Sequence, residues 1–171
     1  MVQSVELVLD EELDRLVREE WELLVAAGLP SQARHTGESN APHVTLGVAD
    51  EVIDESALAA VDYGIGSRLL LGGLLVFPGR TFVLSRAVVP SLHLLRSHRG
   101  VQEAMAGLPG RPPHLGPDGW TPHVTLARRL DGAQLGAAMA VLAGRPRELA
   151  GTVRAARRWD SEARRTWELG R

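Results

Sequence analysis

The chemistry legible in this chain of 171 residues lies in two histidine–threonine pairs. The pentapeptide Pro-His-Val-Thr-Leu occupies residues 42–46 and recurs at residues 122–126, an offset of 80 positions. Side chains alternate between the faces of an extended strand, so His43 and Thr45 share one side while Val44 and Leu46 share the other. His123 and Thr125 stand in the same relation to Val124 and Leu126. Each copy therefore presents an imidazole beside a hydroxyl. An unperturbed imidazole titrates near pH 6.5, so one can take a proton from a nucleophile while the other gives one to a leaving oxygen. Threonine hydroxyls can donate to the non-bridging oxygens of a phosphate as charge builds up there. The constellation suits phosphoester cleavage and needs neither a metal nor a cofactor. Packing accounts for Val44 and Leu46, but not for the identical His and Thr in both copies.

Composition narrows the alternatives. There is no cysteine, which excludes a disulfide framework, a thiolate nucleophile and thiolate-ligated metals. All 19 basic residues are arginine, which removes Schiff-base chemistry and a P-loop lysine. The net charge of −2 conceals an asymmetry: residues 1–62 carry 14 acids and 3 arginines (−11), residues 63–171 carry 7 acids and 16 arginines (+9). A polyanion should prefer the second half. The balanced total suits a small phosphate ester or one RNA end better than a long nucleic-acid backbone. No stretch approaches the roughly 18 apolar residues of a membrane span, and the first residues are acidic rather than leader-like. A cytoplasmic protein with no membrane association and no obligate protein partner is expected.

The elements that must position the motifs also repeat. A strand over residues 5–9 leads into a helix over 11–27, with Asp10 as its cap and Leu13, Leu16, Val17, Trp21, Leu24 and Val25 at helical spacing. A polar loop (31–41), the motif strand (43–49), a short helix (55–61) and an apolar strand (67–77) follow. The second half offers a strand (81–89), a helix from the Ser91 cap to about 108, and a Pro/Gly-rich loop (109–119). After it come the second motif strand (123–128), an Ala-rich helix (132–143) and a hairpin of 152–159 with 166–169. The expected fold is α+β and bilobal, one domain over 1–171. Two pseudo-twofold-related lobes, about 1–78 and about 79–171, carry antiparallel sheets flanked by helices, with the site in the cleft between them.

The paired motifs resemble the His-x-Thr-x motifs of the 2H (two-histidine) phosphoesterase superfamily, and most closely its 2′-5′ RNA ligase or RNA 2′,3′-cyclic phosphodiesterase branch. The second copy continues as His123-Val124-Thr125-Leu126-Ala127-Arg128, similar to that branch's His-x-Thr-Leu-Ala-Arg. The first departs from the branch's Phe-Leu-Gly continuation, having Gly47-Val48-Ala49. The resemblance implies His43 and His123 as catalytic residues acting on an RNA end or cyclic nucleotide. Water activated by one histidine opens a 2′,3′-cyclic phosphate, and the other protonates the departing 3′ oxygen; the resemblance also implies reversible 2′-5′ ligation, with a 5′-hydroxyl in place of water. His43 is assigned as the acid and His123 as the base, a split that near-twofold symmetry does not itself decide. A binding module without turnover, or an enzyme acting on another small phosphodiester, would need the same residues.

Thr45, Thr125, Arg128 and Trp120 complete the expected substrate contacts. The resemblance gives Arg128 a phosphate, yet strand alternation turns it away from His123 unless the strand ends or bulges near Ala127. Arg129 has the right parity but reads as a solvated strand-end charge. Trp120, beside the second motif, is a candidate platform for a nucleobase, and Phe82 a lesser one. Trp21 reads as core, and Trp159 with Trp167 as a hairpin pair. His35 lies in the loop ahead of the first motif, and a zinc site from His35, His43 and His123 has little spacing to support it. His93, His98 and His114, without repeat partners, read as structural.

Overall fold

The computed structural model describes residues 2–37 and 39–169. Its elements are β1 (Gln3–Leu9), α1 (Glu11–Ala26), β2 (His43–Ala49), α2 (Glu55–Ala59), β3 (Arg68–Phe77), β4 (Phe82–Val88), α3 (Leu92–Ala104), β5 (His123–Leu130), α4 (Gly132–Leu142), β6 (Leu149–Asp160) and β7 (Arg165–Leu169). Short 3₁₀ turns, Gln32–Arg34 and Pro113–Leu115, punctuate the two long loops. Capping follows the sequence signals: Asp10 accepts from Leu13 N, Ser91 from Leu94 N, and Asp131 forms a capping box with Gln134. Among the described residues no helix is long and apolar enough to cross a membrane.

All strand pairings are antiparallel, in the order β2-β1-β6-β3-β4-β5, with β7 beside β6. That order is a palindrome of the duplicated halves. Each half contributes a strand, a motif strand and a third strand, and the third strand crosses over: β3 pairs with β4, and β6 pairs with β1. Each side of the sheet therefore combines strands from residues 1–78 and from residues 79–171. β6 starts at Leu149, earlier than its apolar pattern suggests, because its first residues pair with β3 over Arg68–Leu71. The two motif strands, at the ends of the path, would lie about 24 Å apart in a flat sheet. They approach within 8 Å between Cα atoms, so the sheet curls until β2 and β5 face each other.

One core fills the curl. Leu13, Val17, Trp21 and Leu24 of α1 join Val5, Leu7, Val44, Leu46, Val124 and Leu126 from the strands. α3 lies over β2, where Gly47 admits it: a Cβ on Gly47 would sit 2.5 Å from Met105 Sδ and 3.1 Å from Val101 Cγ1. One charged pair is embedded in this packing. Glu20 on α1 is 0% exposed and Arg86 on β4 3%. All five guanidinium N–H groups of Arg86 find acceptors: both Glu20 carboxylate oxygens and the carbonyls of Gly72, Pro146 and Arg147. The pair thus ties α1, β3, β4 and the segment before β6 together. Removing one partner leaves a buried charge uncompensated, so Glu20→Ala is expected to cost about 3–5 kcal/mol in urea unfolding. A loss under about 1 kcal/mol, the level of a surface pair, would contradict this account.

Candidate active site

Both motif strands carry the same irregularity. Opposite β1 the register passes from Glu6↔Thr45 to Val5↔Gly47, and opposite β4 from Ser85↔Thr125 to Leu84↔Ala127. One residue, Leu46 or Leu126, is thereby extra in each strand, a β-bulge. Alternation restarts after it, and two consecutive residues, Leu126 and Ala127, are both fully buried. Arg128 then returns to the side of His123 and Thr125, close enough for its charge to bear on the imidazole. A bulge of this kind resolves the parity problem posed by the sequence.

The two imidazoles are anchored identically. His43 Nδ1 lies 2.7 Å from the Ala41 carbonyl, and His123 Nδ1 lies 2.8 Å from the Thr121 carbonyl. A carbonyl can only accept, so Nδ1 carries the proton in each ring and Nε2 is left to exchange protons with a ligand. The two rings are near enough for their charges to interact.

The surroundings of the rings differ. Paired registers place Glu6 opposite Thr45 and Ser85 opposite Thr125, so these two residues occupy equivalent positions in the repeats. Glu6 Oε1 stands 3.7 Å from His43 Nε2, too far for a hydrogen bond but close for a charge pair. Burial pushes the Glu6 carboxyl up, yet His43, Arg157 and the Ser4 hydroxyl together hold it below the ordinary value. Arg157 Nε donates to Glu6 Oε2 at 2.8 Å and Ser4 Oγ to Oε1 at 2.7 Å. Among the described residues no carboxylate bears on His123; it packs against the Phe77 ring, centroids 4.6 Å apart. Burial pushes its pKa below the ordinary histidine value, the Thr121 carbonyl opposes the shift, and Arg128, His43 and His114 add to it. Glu6 and Phe77 escaped sequence reasoning: Glu6 is reached only through its pairing with Thr45, and Phe77, which pairs with Val83, lies outside the row of His123.

A cavity of about 360 Å³ opens beside His43, lined by Glu6, Arg157, Trp159 and Arg164 among others. Trp159 is thus a cavity wall and not half of a tryptophan pair, because the register sets it opposite Thr166 while Trp167 stands opposite Arg158. The Arg158 guanidinium covers the Trp167 ring at 4.5 Å. Trp120 also differs from expectation as a base platform. Its ring stacks on His98 at 3.9 Å, and its Nε1 donates to the Thr45 carbonyl at 3.1 Å. Trp21 Nε1 donates to the Thr125 carbonyl at 3.1 Å. Each motif threonine is therefore fixed through its backbone by an indole from the other half. Phe82 packs against the core. His35 is exposed at the mouth of the cavity. Among the described residues no three His, Asp or Glu side chains gather as a metal cluster.

No family model matches the chain, and no curated protein matches it. Among solved structures, Usb1 of Kluyveromyces marxianus matches with a TM-score of 0.52 at 11% identity, over 98% of this chain and 97% of its own. The chain has the fold of Usb1. A second structure of that protein, with uridine monophosphate, matches over the same spans with a TM-score of 0.49. The Usb1 fold is α+β, as the element order of the sequence implies, and here it brings the two repeated motifs face to face.

Two histidines weaken the fold just below neutral pH. His98, like His123, is held below the ordinary value by burial, with its bond to the Leu115 carbonyl opposing. The folded chain then binds fewer protons than the unfolded chain just below pH 6.5, the ordinary value. This stability is complete above the unfolded value and is lost as pH falls through the folded ones. Urea midpoints measured in steps downward from about pH 7 are expected to decline below about 6.5. A flat profile down to the carboxylate range would contradict the assignment.

Proposed function

We propose that the cleft is a two-histidine phosphodiesterase of RNA ends, opening 2′,3′-cyclic phosphates to 2′-phosphates. The observation that carries this reading is the identical anchoring of His43 and His123 through Nδ1, which leaves Nε2 of each ring to a ligand on strands that face each other. The likeness of fold to Usb1 is consistent with it.

The difference in surroundings supports a division of labour. His123 lies among cations and an aromatic ring, which favours its neutral form and a free Nε2 lone pair. It takes a proton from water as the water oxygen bonds to phosphorus. His43 faces the Glu6 carboxylate across 3.7 Å, and as the acid its Nε2–H gives a proton to O3′ as the P–O3′ bond breaks. The Thr45 and Thr125 hydroxyls and the Arg128 guanidinium serve the non-bridging oxygens. A 5′-hydroxyl in place of water would give a 2′–5′ linkage. No step in this scheme calls on a metal.

The test uses an RNA oligonucleotide ending in a 2′,3′-cyclic phosphate, incubated with the protein in excess EDTA and followed by mass and chromatography. Conversion to the 2′-phosphate is expected, with a loss of about 10²-fold or more in His43→Ala and in His123→Ala. An ester bound but not converted would make the cleft a binding module, and an ester neither bound nor converted would remove the substrate class. Glu6→Gln tests the division of roles. It takes away the carboxylate charge that faces His43 Nε2, so kcat/KM should fall for a substrate with an alkoxide leaving group but little for a nitrophenolate ester, whose leaving oxygen needs no proton. Equal loss with both substrates would make Glu6 merely structural.

A further inference from the structure

Next to the cleft is a second cavity, about 570 Å³, of whose lining the proposed reaction uses only Arg128. Its walls come from the 3₁₀ turn after α1 and from the end of β5, and they bring Arg34, Arg128 and Arg129 together with Gln32 and His35. No carboxylate among the described residues lines it, and none of the three arginines makes an ion pair or hydrogen bond among them. Elsewhere the described arginines are commonly matched, as with Glu6–Arg157, Glu19–Arg145 and Glu20–Arg86. Three unmatched guanidinium groups around one cavity repel one another and gain by sharing an anion.

The backbone is shaped to make this cluster. Neighbouring residues of a strand ordinarily point to opposite faces, yet Arg128 and Arg129 line the same cavity. Arg129 achieves this in the left-handed region, φ 61°, a conformation rare for a residue with a Cβ. A second register shift accompanies it, since Phe82 pairs with Leu130 while Leu84 pairs with Ala127. Such local strain points to a use. The cavity also adjoins the first: His35 and Asn40 line both, so the arginine cluster continues from the His43 pocket across one loop. Arg128 joins it to His123 electrostatically.

We infer that the Arg34–Arg128–Arg129 cavity is a subsite for a further backbone phosphate of single-stranded RNA, so that the substrate is an oligonucleotide end and not a mononucleotide. This rests on the proposed reaction for its location, but its test has a separate readout. A 5′-labelled RNA octamer with a 3′-terminal phosphate, which the enzyme cannot hydrolyse further, is titrated by fluorescence anisotropy at several salt concentrations. The labelled nucleoside 3′-phosphate serves as the comparison. The octamer should bind the wild type more tightly, and Arg34→Ala with Arg129→Gly should weaken it about tenfold at low salt. The slope of log affinity against log salt should become shallower by about 0.7 for each phosphate that is no longer neutralised. Glycine accepts positive φ, so Arg129→Gly should not lower thermal stability. In turnover, the ratio of kcat/KM for a cyclic-phosphate-ended octamer to that for a cyclic mononucleotide should fall in the double variant.

Equal affinity of the wild type for octamer and mononucleotide, or a double variant that keeps octamer affinity and salt slope, overturns the subsite. Absence of turnover with intact, arginine-dependent octamer binding overturns the proposed reaction and leaves the subsite standing.

Discussion

Four residue pairs between β3 and β6, Arg68–Leu71 against Leu149–Thr152, join the β2-β1-β6 and β3-β4-β5 parts of the sheet into one. Because each half of the chain sends its third strand across this junction, β2 and β5 are left at the two outer edges. An edge strand ordinarily risks pairing with a neighbouring chain. Here the curl turns the edges toward each other, and side chains from across the junction occupy their carbonyls: Trp120 on Thr45, Gln102 on Leu46 and Trp21 on Thr125. The placement of both histidines follows from that single topological choice.

Within this symmetric frame, chemistry requires asymmetry. Two identical imidazoles at one phosphorus would share every protonation state equally, whereas acid–base catalysis needs one charged and one neutral. A carboxylate at Glu6 and a hydroxyl at Ser85, at equivalent positions beside the motif threonines, give the two rings different surroundings. The Glu6 charge is tolerable in a buried position because Arg157 and Ser4 hold its oxygens. Arg157 reaches it from β6, the strand lent by the other half. The exchange of strands therefore fixes the position of the site and also supplies part of its charge balance.

Much of this was legible in the residues. Caps at Asp10 and Ser91 and the period of α1 place those elements correctly, and the repeated pentapeptide locates both motif strands at their first residue. What escaped depends on partners distant in sequence. Alternation alone sends Arg128 to the wrong face, because the bulge at Leu126 is visible only against β4. Trp120 sits beside the motif as a base platform would, but the His98 ring and the Thr45 carbonyl claim it. Glu6 reads as one more acid of an acidic segment until β2 brings His43 beside it. Strand exchange is likewise invisible to periodicity, since β3 and β6 are apolar enough to pair with either half.

The crossing of the third strands has a consequence for ancestry. A chain of half this length, built as one strand–helix–strand–helix–strand unit, could not complete its own sheet; it would do so with an identical copy, exchanging last strands about a twofold axis. The resulting dimer would hold both histidines in one cleft before any gene joined them, with each copy equally acid and base. Fusion would then free the two positions beside the threonines to diverge, one toward a carboxylate and the other toward a hydroxyl.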